Sequence, residues 1–385
     1  MHDTKFDPIR CYYDDEIHNV IEKITQDELF LKALAHIVGV ENMETARQQF
    51  LAVNTLTDSQ KFFLKIFTNR VIKHSIKQFS YHGIENYASW KSCVLISNHR
   101  DITLDSFLLQ YALNDNGLPT LRSAVGDNLL FNDLVKEFAK INKMFIVRRR
   151  GSLREKLLDS LLLSEYIRKS ILEDQESVWI AQRNGRSKNG LDQTQSGLLK
   201  MLSASKRGNI IESLKELNIL PMSISYEYES CDQLKAREIC LSKTQEYVKG
   251  ENEDLHSIQT GLFSYKGNVS LVIAESINPF LDTIDQTLSD NEQLNLIARH
   301  IDQQIYKNYK LWKTNYIAFD IIENQNQFID HYSKIDKDNF RNYIDKQASI
   351  GEVSFSEMKE MLLQIYANPV YTSLGLKTGS LQEDF

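Results

Sequence analysis

Val94-Leu95-Ile96-Ser97-Asn98-His99-Arg100-Asp101-Ile102-Thr103-Leu104-Asp105 passes from an apolar run into a polar turn and then toward a helix. The run is too short for a helix and is closed by polar residues, so it reads as a buried strand. Leu104, Leu108 and Leu109 then fall at helical spacing. Four more runs of this kind follow at Met144–Val147, Val178–Ala181, Ile219–Tyr226 and Val269–Ala274, with helical stretches between them. Such alternation predicts an α/β fold with a mostly parallel central sheet flanked by helices. In such folds functional residues gather at the carboxyl ends of the strands.

Both ends of the chain read as helical extensions. Ile17, Val20, Ile21 and Ile24 share a helical face. After a start signal at Thr57–Asp58, so do Phe62, Phe63, Ile66 and Phe67, then Val71, Ile72, Ile76 and Phe79. Core packing is the expected use of these residues, although an amphipathic helix over Phe62–Phe79 could also meet a membrane. From Leu288 the helical pattern returns through Leu294, Ile297, Ile301 and Ile305. The expected organisation is a helical N-terminal subdomain over 1–80, an α/β domain over 81–287 and a helical C-terminal extension over 288–385.

The net charge of −7 argues against a global pull on nucleic acid or an anionic surface, so anion binding must be local. Cys11, Cys93, Cys231 and Cys240 form no C-x-x-C pair and read as reduced thiols of a cytosolic protein. No His, Cys and carboxylate set has ligand spacing, so no metal is expected. The first fifteen residues lack the apolar stretch of a signal peptide, and no run is long enough to span a bilayer.

Three strand ends carry chemistry. His99 follows the first, with Asp101 and Asp105 downstream. A neutral imidazole there can take a proton from a hydroxyl while a carboxylate fixes its tautomer. Arg148, Arg149 and Arg150 follow the second, ahead of Ser152-Leu153-Arg154-Glu155, which has the form of a capping box. Seven basic residues and one acidic one lie between Lys140 and Lys156. Guanidinium groups beside a helix N-terminus suit a phosphate, the alternative being a solvated charged loop. The third strand leads into Gln182-Arg183-Asn184-Gly185-Arg186-Ser187-Lys188-Asn189-Gly190, a basic loop without a single acid. The fourth begins Leu220-Pro221 and reads as structural.

This ordered set resembles the glycerolipid acyltransferase superfamily, of the lysophosphatidic acid and glycerol-3-phosphate acyltransferase type. The matching segments are Ser97-Asn98-His99 with Asp105, Phe145 to Arg149, Asn184-Gly185-Arg186-Ser187 and Leu220-Pro221, with Gly83-Ile84-Glu85-Asn86 as a lead-in. Phe6-Asp7-Pro8-Ile9-Arg10 and Ser225-Tyr226-Glu227-Tyr228 further resemble a bacterial branch with extra helical termini.

The resemblance implies transfer of a fatty acyl group from acyl-CoA or acyl carrier protein to a hydroxyl of glycerol-3-phosphate or a lysophospholipid, a step of phospholipid biosynthesis. It casts His99 as general base and Asp105 as its orienting acid, with Asp101 the alternative. Arg148, Arg149, Asn184, Gly185 and Arg186 become the acceptor-phosphate set. It implies no cofactor beyond the acyl donor, and a cytoplasmic protein peripheral at the inner face of the membrane. Two departures stand out. The His99-to-Asp105 spacing is one residue longer than the family's, and Asn184 stands where the family has Glu.

A non-catalytic lipid or acyl-carrier binding protein on the same fold is the alternative those departures favour. A nucleic-acid binder using Arg148 to Lys156 and Arg183 to Lys188 would show steep salt dependence, and net acidity argues against it. A serine hydrolase lacks its G-x-S-x-G elbow.

Overall fold

The computed structural model describes residues 3–206, 208–244 and 246–376. Among these residues seven strands form one sheet in the order β1-β7-β6-β2-β5-β3-β4. They are β1 (Ile76–His82), β2 (Val94–Ser97), β3 (Arg122–Gly126), β4 (Met144–Val147), β5 (Val178–Ala181), β6 (Leu220–Tyr226) and β7 (Gly267–Ile273). Strands β2 to β6 are mutually parallel, β7 runs antiparallel to β6, and β1 runs with β7. The sheet is mostly parallel and flanked by helices, with helical stretches at both ends.

The period-two geometry of strands sends alternate residues to opposite faces. Val94 and Ile96 of β2 join one core with Ile167, Ile171 and Ile297. Leu95 joins another with Leu104, Leu108 and Leu220. With both faces covered by helices, the strands must be apolar throughout, as the short runs are.

Two elements escaped the periodicity. Ile76 and Phe79 do not continue a helix, which stops at Ser75. They lie in β1, where Phe79 pairs with Val269 and Tyr81 with Leu271. Residues three apart satisfy a helical template by chance, and cross-strand pairing with β7 decides the outcome. Strand β3 has only Ala124 and Val125 as apolar residues, too few to register as a run, and is held as a strand between β5 and β4.

The N-terminal helices Asp14–Ile24, Glu28–Val38, Met43–Leu51 and Leu56–Phe67 enclose their own core. Phe63 packs edge-on against Phe138 at 4.6 Å and Phe62 stacks on Phe50 at 5.4 Å. Ahead of them, the Ile9 carbonyl accepts the Ile146 N–H at 2.8 Å, so the start of the chain covers the outer edge of β4. The C-terminal helices Lys313–Ile322, Lys334–Ala348 and Phe355–Ser373 pack around Phe319, Phe340 and Tyr366. Among the described residues no helix is long and apolar enough to cross a membrane.

Candidate active site

Parallel strands bring their carboxyl ends to one edge, so the segments after β2, β4 and β5 meet there. Pairing of β2 with β6 ends at Ser97. Asn98 then extends it with its side chain. Its amide donates to the Ile224 carbonyl at 2.9 Å and accepts the Ile224 N–H at 2.8 Å. A backbone-mimicking Asn thus closes the sheet edge and aims the next residue outward.

That residue is His99. Its Nδ1 lies 2.9 Å from Asp105 Oδ2, and its ring stands edge-on to Trp179 at 5.9 Å. Asp105 is fully buried in the first turn of the helix Leu104–Asp115. Its carboxylate also accepts the Arg100 N–H at 2.7 Å, the Asp101 N–H at 3.0 Å and the Tyr226 hydroxyl at 2.7 Å. With donors already converging on it, Asp105 can only accept from the imidazole as well. Nδ1 therefore carries the proton, and Nε2 is left with its lone pair.

Asp101 has a different task. It caps the same helix, accepting the Thr103 and Leu104 N–H groups at 2.8 Å each, and it accepts the Ser230 hydroxyl. Burial pushes its carboxyl up, but these donors and the charge of Arg186 outweigh that and hold it below the ordinary range. The residues between His99 and Asp105 make this capping turn.

Behind the loop lies a network of buried charge. Arg100, 1% exposed, donates to Asp192 at 2.5 Å, to Glu229 at 3.3 Å and to the Gly190 carbonyl at 3.1 Å. Lys235 donates to the Arg100 carbonyl and to Glu229, each at 2.6 Å. Tyr366 of the last helix accepts the Glu229 N–H at 3.0 Å and donates to Asp232 at 2.7 Å. The C-terminal helices are thereby tied to the residue next to His99. Nothing in local sequence marks Tyr226, Asp192, Glu229 or Lys235 as partners of this loop, because they come from elements far apart in the chain.

In front of His99 opens a cavity of about 400 Å³. His99, Arg148, Arg149 and Asn184 line it, together with Lys156 and Arg183, which were outside the expected acceptor-phosphate set. Ile9, Ile146, Leu163, Ile180 and Leu198 form its apolar walls. Arg148 is committed to Asp159 at 3.1 Å. Arg149 makes no hydrogen bond or ion pair among the described residues; burial lowers its pKa, with Asp127 and Asp254 opposing. A Cβ at Gly126 would sit 2.9 Å from Arg149 Cζ, so a larger residue there would push the guanidinium aside.

Gly185 and Arg186 are not part of this lining. Gly185 adopts φ +75°, a left-handed turn that suits glycine. Arg186 lies within electrostatic reach of Asp101, and its buried Nη1 has no hydrogen-bond partner. The adjoining Ser187 N–H donates to the His99 carbonyl at 2.7 Å.

Residues 78–225 match the acyltransferase family model, the same span that carries the converging strand ends. Over that span the chain is similar to acyltransferase domains. No curated protein matches it in sequence. Among solved structures it is similar to the 1-acyl-sn-glycerophosphate (LPA) acyltransferase PlsC from Thermotoga maritima. That likeness is at 13% identity over 76% of this chain and 96% of that one, with a TM-score of 0.38.

The segment that follows the basic loop is anchored from outside the matched span. Thr194 donates its N–H at 2.8 Å and its hydroxyl at 2.6 Å to Asp302, on the helix Asp290–Asn308. Burial pushes the Asp302 carboxyl up to about 7, with the charge of Asp192 adding and the Thr194 donors opposing. A folded-state pKa above the unfolded value means stabilisation present at low pH and lost as pH rises through about 7. Asp302→Asn is therefore expected to gain thermal stability relative to wild type as pH rises across the range between the two pKa values. Parallel melting curves for the two proteins over that range check it, and a pH-independent difference would refute it.

Proposed function

We propose that this acyltransferase moves a fatty acyl group from acyl-CoA or acyl carrier protein to a hydroxyl of glycerol-3-phosphate or a lysophospholipid, as in phospholipid biosynthesis. The observation that carries the reading is one cavity lined by the Asp105-backed His99, by the uncommitted Arg149 and by apolar walls. A cationic end suits a phosphate and apolar walls suit an acyl chain.

In the proposed step, His99 Nε2 removes the acceptor hydroxyl proton as its oxygen attacks the thioester carbonyl carbon. The tetrahedral intermediate collapses with cleavage of the carbon–sulfur bond, and the imidazolium returns its proton to the leaving thiolate. Asp105 steadies the transient imidazolium. Protein groups and the acyl donor supply everything the step needs. Arg149 binds the acceptor phosphate, with Arg148 and Asn184 beside it. The Nη1 of Arg186, buried without a hydrogen-bond partner, is proposed as a further donor for it. The proposed substrates imply a cytoplasmic protein working peripherally at the inner face of the membrane.

Asn184 supports a second reading, a carrier or lipid binder without chemistry. Labelled acyl-CoA and acyl carrier protein, offered to a panel of glycerol phosphates and lysophospholipids, separate the two. Transfer identifies donor and acceptor together, whereas donor binding without transfer favours the second reading. Arg149→Ala is expected to raise KM for a phosphorylated acceptor about tenfold or more and to leave an unphosphorylated analogue nearly unaffected.

A further inference from the structure

The helix Leu153–Leu172 buries only its later turns, through Leu163, Tyr166, Ile167 and Ile171. Residues 151–158 are exposed on every side. Leu153, Leu157 and Leu158 are 88%, 62% and 56% exposed, so these three leucines point away from the core. At 100° per residue they span an arc of about 140°, with Arg154 inside it. Arg150, Arg154 and Lys156 make no ion pair among the described residues, while Glu155 is engaged in the Ser152 capping box.

The projecting turns adjoin the cavity. Lys156 and Ser160 line it, and Leu158 lines a neighbouring hollow with Arg150 and Leu130. Apolar side chains flanked by uncommitted cations on a projecting helix end match the layered chemistry of an anionic bilayer, acyl chains beneath and phosphates above. A folded partner would need a matching concave face to cover an end exposed all round. A fluid lipid surface needs none.

We propose that the first two turns of this helix insert into an anionic membrane surface and set the mouth of the cavity against it. The inference rests on the acyl-transfer reading for the cavity's role, but its binding step is independent of chemistry. The test is co-flotation of the full chain with phosphatidylcholine vesicles, with and without phosphatidylglycerol.

Wild type is expected to float with phosphatidylglycerol vesicles. The triple variant Leu153→Ser, Leu157→Ser, Leu158→Ser should lose about tenfold or more of that affinity. Arg150→Gln with Arg154→Gln should lose only the part that depends on phosphatidylglycerol. All these side chains are exposed, so folding should be intact by circular dichroism. In the triple variant, transfer to a detergent-dispersed short-chain acceptor is expected to persist while transfer to a vesicle-embedded one falls.

Vesicle binding by the triple variant equal to wild type overturns the proposal. So does a wild type that ignores vesicles but binds acyl carrier protein through these leucines. A wild type that floats through them yet transfers nothing leaves the surface standing and removes the reaction instead.

Discussion

His99→Ala is expected to lower acyl transfer by about 10² to 10⁴ in kcat, with little change in donor or acceptor binding. The magnitude follows from losing a positioned base whose second nitrogen is already committed to Asp105 at 2.9 Å. Folding should survive, because Asp105 keeps the Arg100 and Asp101 N–H groups and the Tyr226 hydroxyl as donors. A buried carboxylate that stays hydrogen-bonded carries little penalty. The measurement is single-turnover transfer alongside a melting curve. Wild-type turnover in a well-folded variant would remove His99 as the base and with it the proposed mechanism. Asp105→Asn is a less clean probe, since the amide both weakens the imidazole and disturbs the buried donors around it.

Arg100→Met is expected to cost about 3–5 kcal/mol of folding stability. Arg100, Asp192, Glu229 and Lys235 are all buried, two cations against two anions. Deleting Arg100 leaves Asp192 facing only the Asn98 amide at 3.2 Å, a buried charge without its counter-ion. Urea denaturation of the single variant reads the loss. Pairing it with Asp192→Asn should restore part of the stability, because the stranded charge is then gone. An Arg100→Met chain as stable as wild type would mean that the network is solvated rather than buried. Activity of the single variant is expected to fall as well, because losing the buried guanidinium loosens the segment whose residue-100 N–H, retained in the variant, positions Asp105.

The two loops between these groups show how tertiary structure reassigns residues that look alike in sequence. Asp101 and Asp105 are both acids downstream of His99. The first is drawn away by the N–H groups of the helix it caps, and the second is turned back onto the loop by the helical rise that follows. In the basic loop, Arg186 belongs by sequence to the same expected phosphate set as Arg149. The left-handed turn at Gly185 sends it toward Asp101 instead, outside the cavity lining.

By itself the sequence determined the α/β class, the positions of β2, β4, β5, β6 and β7, and the three strand ends that carry His99, the arginines and the basic loop. It could do so because burial on two sheet faces demands short unbroken apolar runs, and because parallel strands present their ends on one edge. Only the tertiary structure decided the rest. Strand β1 exists because β7 is there to pair with it, and β3 because two neighbours flank it, so neither leaves a pattern in its own residues. The choice of Asp105, the Tyr226 hydroxyl behind it, the buried ion network reaching Tyr366 and the exposure of Leu153, Leu157 and Leu158 all depend on distances between segments far apart in the chain. Periodicity reports which residues share a face of one element; what that face meets is fixed by the rest of the fold.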